Sequence, residues 1–301
     1  MPLLEQILIS GAITSSIYAV VALGFTLIYG VSGIINLTHG AFFMIGAYIF
    51  GSLNNLFVPL FPAEFSYIAP VLAIIVTPIL TGIVGSIFYR LTLHQILGDQ
   101  VATLVVSVCA CMFFQQIIWM TFDAVQASRF PIPPMITGTF TLIGVGVISR
   151  QALAAVLSLL LFAGVWIFIA KSRNGKAMKA LSQDLEAAML VGVSVEKMYM
   201  LTSAISAGIA SIAAVFFTQI TGAASWDMWL TGLAFSFCIV ILGGLGSIKG
   251  TLLGAIIFGY SIAYISLTYG GGLVTSFPFI VMIVVLIIRP KGIFGKRIEM
   301  E

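Results

Sequence analysis

Few side chains in this 301-residue sequence can do chemistry, and those that can sit inside long apolar runs. Asn36, Thr38 and His39 form one polar cluster, Gln115 and Gln116 a second, and Gln219 stands alone. Polar groups in an apolar setting are costly and face a cavity, a path or another helix. For Asn36, Thr38 and His39, near the inner end of a helix, two readings are open. They are caps on helix ends exposed by the glycine-rich stretch 30–40, or they form the wall of a gate. Adjacent Gln115 and Gln116 point about 100° apart on a helix, so one can face a path while the other bonds a neighbouring helix. Trp226 and Asp227 suit either an interfacial belt or a docking face for another protein. The three cysteines, Cys109, Cys111 and Cys238, lack zinc-type spacing with histidine and read as small buried hydrophobes.

The missing residues say as much. No Asp, Glu, Lys or Arg lies well inside an apolar run, so a proton relay has only His39 to use. The sequence has no H-E-x-x-H element and no paired carboxylates within a run, which leaves a membrane hydrolase without its chemistry. It has no G-x-x-x-x-G-K-[ST] phosphate loop either, so the chain is not expected to hydrolyse ATP. No cofactor or metal is expected. An uncharged, apolar route suits a neutral or zwitterionic solute and gives it little affinity.

Composition fixes the class. Hydrophobic residues make up 60% of the chain and charged residues 8%, with a mean hydropathy of +1.18. Soluble domains carry about 25% charged residues, so this chain could not cover itself in water. Soluble enzymes, nucleic-acid binders, disulfide scaffolds and disordered tails are excluded together. Runs of about 20 apolar residues cross a bilayer core of about 30 Å, and a backbone in lipid must satisfy its own hydrogen bonds. The expected fold is therefore an all-α polytopic membrane bundle of eight to ten spans, half-helices included.

Nine candidate spans cover residues 7–29, 35–53, 67–89, 101–122, 150–170, 199–221, 229–243, 250–268 and 273–288. The run 229–243 is short, ends in a glycine turn and suits a half-helix. Alternating the spans puts Arg90, Lys171, Arg173, Lys176, Lys179, Lys197, Lys249, Arg289, Lys291, Lys296 and Arg297 on one side, leaving Arg129 and Arg150 on the other. Basic loops stay cytoplasmic, which predicts an outside N-terminus, without a cleaved signal peptide, and a cytoplasmic C-terminus. The whole chain 1–301 reads as one transmembrane domain. It has an outer loop at 123–149, where Thr and aromatic residues alternate beside glycine as in a small hairpin or capping loop, and a cytoplasmic segment at 171–198.

That cytoplasmic segment has a helical period. Ala177, Leu181, Leu185, Ala188 and Gly192 recur at spacings of 4, 4, 3 and 4, with Lys176, Lys179, Gln183 and Glu186 opposite. Asp184 is placed to N-cap a second short helix over 185–191, with Gly192 as its C′ residue. Two short helices meeting near 182–184 are expected to lie across the inner mouth. Their small apolar residues suit close docking of another protein, and an interfacial helix resting on lipid headgroups is the alternative.

Three stretches carry a resemblance. Residues 174–193 resemble the coupling segment of permeases of branched-chain amino-acid ABC importers. The segment Ile34-Ile35-Asn36-Leu37-Thr38-His39-Gly40-Ala41-Phe42 resembles the start of an early span in those proteins. Leu242-Gly243-Gly244-Leu245-Gly246-Ser247-Ile248-Lys249-Gly250, with Leu253-Gly254-Ala255, is similar to their late glycine turn. The order is right, the three span nearly the whole chain, and the shorter of the two permease types fits best. Leu185 departs from the pattern, where relatives carry proline. The resemblance implies a bacterial inner-membrane permease subunit for branched-chain or related hydrophobic amino acids. Its implied partners are a second permease (paralogue or copy), two cytoplasmic ATPases, a periplasmic or tethered solute-binding protein and membrane lipid, with no nucleic acid. It further implies ATPase contact through Gly175, Ala180, Asp184, Glu186, Ala187, Ala188 and Gly192. Asn36, Thr38, His39, Gln115 and Gln219 are the candidates for path or gate. The competing reading is a self-contained channel or secondary transporter for a small neutral solute; importers of the same family for urea or amides are a variant of the first.

Overall fold

The computed structural model describes residues 2–65, 67–96, 98–270, 273–274, 276–289 and 292–294. Three expected inner-side cations, Lys291, Lys296 and Arg297, lie outside the described residues. Among those described, seven helices are long and apolar enough to cross a membrane. They are α1 (Pro2–Ser32), α2 (His39–Phe57), α3 (Ile68–Leu91), α4 (Gln100–Thr121), α6 (Ser149–Lys171), α9 (Val195–Thr221) and α11 (Ile248–Thr268). The two remaining apolar runs form shorter helices, α10 (Met228–Gly243) and α12 (Phe277–Ile288). At 1.5 Å per residue, roughly 24 Å and 18 Å, both fall short of a bilayer core. The short seventh run is thus a short helix, as its length and glycine turn predict.

Burial sorts the helices into two rings. The most apolar stretches of α3, α4 and α6 are 28% buried, against 67% in α9 and 61% in α1. The outer ring therefore turns most of its side chains to lipid or to another chain, and α1, α2, α9, α10 and α11 form the packed centre. Small residues allow that packing. A side chain on Gly254 would run into Ile239 O of α10, and one on Gly82 would lie 3.1 Å from Ala204 O of α9. Thr26 and Thr251 join α1 to α11 by a buried hydroxyl pair at 2.6 Å.

The helix ends nearest the charged loops are capped by local side chains. Asp99 accepts from Val101 and Ala102 N–H at the start of α4, and Ser247 accepts from Gly250 N–H at the start of α11. At this same end His94 meets Glu196 at 3.4 Å, tying the region after α3 to the start of α9. The end of α1 meets the α10–α11 turn there, with Gly30 against Gly246. Just past α12, Ile293 and Phe294 N–H donate to Leu242 and Gly243 O, satisfying the last carbonyls of α10. Arg90, the basic residues between 171 and 197, Lys249 and Arg289 are thereby gathered at one end, all exposed.

At the opposite end the 123–149 connection folds as expected. It holds a short helix, α5 (Ala124–Ser128), and an antiparallel hairpin of β2 (Thr139–Leu142) and β3 (Val145–Ile148). Strand β1 (Phe130–Pro131) pairs with β4 (Ala223–Ala224), fixing the connection to the C-terminal end of α9.

Candidate functional site

The break between α1 and α2 folds back into the bundle. Sequence alone put His39 near a helix end, and the structure has it there, as the first residue of α2. His39 opens α2, but its ring reaches Val21, eleven residues before the end of α1 and so roughly 16 Å up the helix. Residues 33–38 turn inward and start α2 at depth. His39 Nε2–H donates to Val21 O at 3.0 Å, leaving Nδ1 as an acceptor 3.4 Å from Ser206 Oγ of α9. Ser206 O–H donates to Gly24 O of α1 at 2.7 Å, and Ser236 Oγ of α10 lies between Gly232 O of its own helix at 2.6 Å and Val21 O at 2.9 Å. The imidazole thus brings α2 against α1 and α9, and Ser236 sets α10 beside the same carbonyl. Gly24 makes the room: a side chain there would stand 2.6 Å from His39 Cε1 and 2.9 Å from Ser206 O.

Asn36 and Thr38 hold the turn before it. Asn36 Oδ1 accepts from Thr38 N–H at 3.0 Å, and Cys111 Sγ–H of α4 reaches Leu37 O at 3.3 Å. Both Asn36 and Thr38 are buried, at 2% and 0% exposure. Thr38 sits at the N-cap of α2 without a side-chain capping bond, so the capping reading fails for that hydroxyl. Beside Asn36, at the end that gathers the basic residues, lies a cavity of about 20 Å³ bordered by α1, α3, α4 and α9, too small for an amino acid.

The glutamines lie elsewhere. Gln115 accepts the indole N–H of Trp229 and joins α4 to α10, while Gln116 is exposed. One of the pair is therefore helix glue, as the 100° separation allows. Gln219 is buried near the C-terminal end of α9, where its Oε1 accepts Met135 N–H at 3.1 Å and anchors the 123–149 connection. It is far in sequence and place from the Asn36 cluster. Trp226 packs edge-on against Trp119 with ring centroids 5.5 Å apart, and Asp227 is exposed beside it. Of the cysteines, Cys111 and Cys238 are buried as expected, but Cys109 faces outward from α4.

The 171–198 segment is two helices at an angle, α7 (Arg173–Leu181) and α8 (Leu185–Leu190). Ser172 caps the first by accepting from Gly175 N–H at 2.8 Å. Asp184 caps the second by accepting from Ala187 N–H at 2.9 Å. Gly192 ends it at φ +85°, with its N–H on Met189 O and that of Val193 on Ala188 O. The predicted common apolar face does not persist through both helices. The inward residues are Gly175, Met178, Leu181 and Ala188, while Leu185 and Gly192 are exposed. The turn at 182–184 breaks the helical phase, so α8 presents a different face from the one a continuous period assigns.

Among the positions implied for partner contact, Gly175 is packed on the backbone of Phe168 and Ile169. Ala188 is 3% exposed and Ala180 half-buried, and Asp184, Glu186, Ala187 and Gly192 face out. The periodicity passed over Met189, Leu190 and Val191, of which Leu190 and Val191 are 88% and 78% exposed. Three apolar residues in a row beside a C-terminal glycine were the available signal.

The profile of the family described as "Branched-chain amino acid transport system / permease component" matches residues 7–288. The chain is 28% identical to the high-affinity branched-chain amino acid transport system permease protein BraD of Pseudomonas aeruginosa, over 97% of this chain and 95% of that one. The corresponding LivH protein of Escherichia coli (strain K12) is also 28% identical, with the same coverage. Among solved structures, PsaBC from Streptococcus pneumoniae in complex with Fab shares the fold, with a TM-score of 0.51 and 14% identity over 96% of this chain and 94% of that one.

Proposed function

Since the chain belongs to the branched-chain amino acid transport system permease family, we propose that it is the membrane permease subunit of an ABC importer for branched-chain or related hydrophobic amino acids. It supplies the path, in a bacterial inner membrane, and carries out no catalysis itself. ATP hydrolysis and solute capture fall to separate ATPase and solute-binding subunits, and a second permease, copy or paralogue, completes the route. The observation that carries this reading is the elbow: two capped helices on an apolar bundle, with Glu186, Ala187, Met189, Leu190 and Val191 turned away from their own chain. An apolar edge of that kind is suited to a groove on a partner, and the basic residues around it support a cytoplasmic position.

In this mechanism closure of the ATPases pushes the elbow. Because α8 leads into α9 within four residues, the push reaches the helix that carries Ser206. Through His39 that helix is tied to α1 and α2, and Val21 links the knot to α10. The junction cavity is too small for an amino acid, so the route opens between chains or in another state of the bundle. Asn36 and Thr38 serve as positioning residues at the foot of α2, and Gln115 and Gln219 hold the walls.

Ala187→Glu tests the assignment by placing a charge on the exposed elbow face. ATPase co-purification and amino-acid uptake are expected to disappear while membrane insertion stays normal. Uptake by vesicles holding this chain alone would instead establish the self-contained transporter.

A further inference from the structure

The cavity at the inner junction is bordered by Ser32, Asn36, Tyr89, Thr103, Tyr199 and Thr202, with Ile28, Ile34 and Leu93 completing its wall. Two of those residues are buried with an unpaired donor. Asn36 is 2% exposed and its Nδ2 has no partner; Tyr89 is 4% exposed and its hydroxyl has none. A buried donor without an acceptor costs the desolvation of that group, and such atoms call for a specific explanation. Three other hydroxyls in the wall have already donated. Ser32 gives its proton to Ile28 O at 2.7 Å, Thr103 to Asp99 O at 2.9 Å and Thr202 to Met198 O at 2.7 Å. Their oxygens keep lone pairs that can only accept.

The occupant must therefore accept from Asn36 and Tyr89 and donate to hydroxyl oxygens, within about 20 Å³. A cation cannot accept the protons of Asn36 and Tyr89. A carboxylate cannot donate and is too large. Water does both, and a volume of this size is about that of one water probe. We infer that this cavity is a binding site for one internal water molecule, held by the Asn36 amide and the Tyr89 hydroxyl. The water joins the turn before α2 to the inner ends of α3, α4 and α9, where no direct side-chain bond from Asn36 or Tyr89 exists. The inference does not depend on what the permease carries.

X-ray radiolytic labelling of the full-length chain in lipid nanodiscs, read by mass spectrometry in H₂¹⁸O, tests it. Bound water generates hydroxyl radical in place, so Tyr89 should label several-fold above Tyr48, which is 1% exposed and whose hydroxyl is spent on Ala127 O. The label should carry ¹⁸O from that water. The melting temperature gives an independent sign. Tyr89→Phe should lower it if the hydroxyl is bonded to water, and should raise it or leave it unchanged if the hydroxyl is orphaned. Labelling of Tyr89 no greater than that of Tyr48, or a Tyr89→Phe chain that melts no lower than the parent, overturns the site.

Discussion

A single imidazole holds the centre of this bundle, and it does so as a neutral hydrogen-bonding group. With Nε2 donating to Val21 O and Nδ1 packed beside Ser206, whose own proton goes to Gly24 O, His39 suits a structural tie better than a proton carrier. Gly24→Val should break that tie, because the added carbons would occupy the imidazole's space. Overpacking of this kind costs about 1–3 kcal/mol. A lower thermal midpoint in detergent and weaker uptake are expected together, whereas an unchanged midpoint would show that the helices part freely. Gln115→Leu should leave the Trp229 indole N–H unpaired, at a cost of about 1–3 kcal/mol. Gln116→Leu, altering an exposed side chain, should leave the midpoint where it was.

At the level of the element, the elbow depends on its caps more than on its length. A six-residue helix such as α8 cannot nucleate by propensity alone, since isolated helices below roughly 12 residues are marginal. Asp184→Ala removes the carboxylate that receives Ala187 N–H and should cost about 1 kcal/mol locally. The expected outcome is a permease that inserts and melts nearly as before but retains less ATPase on purification. Asp184→Ser, which keeps an N-cap acceptor, should recover most of the difference. Gly192→Val forces a β-branched side chain to φ +85° and should mimic Asp184→Ala. If it retains ATPase at the parent's level, the geometry of the elbow is not what the partner reads.

For the whole molecule, the two ends are chemically unlike. One gathers most of the exposed basic residues around the elbow, and the other carries an uncharged hairpin with Ile143 72% exposed. In a chain stripped of Cys109, Cys111 and Cys238, a membrane-impermeant thiol reagent should label Ile143→Cys in intact cells. It should reach Ala187→Cys only after permeabilisation. The reverse pattern would place the elbow outside and remove the proposed coupling to a cytoplasmic engine.

The sequence by itself determined the membrane class, the number and placement of the apolar runs, the shortness of the run at 229–243, and the Asp184 and Gly192 ends of α8. Each depends on neighbours in the chain: a length of apolar residues measured against a bilayer, or a side chain bonding a backbone group three residues on. Only the tertiary structure decided how deep His39 lies, that Gly24 must be small, that Gln115 serves Trp229, and which face α8 presents. Those outcomes depend on groups from distant parts of the chain arriving at one point, or on a turn that resets the helical phase. A pattern of apolar and polar letters carries neither.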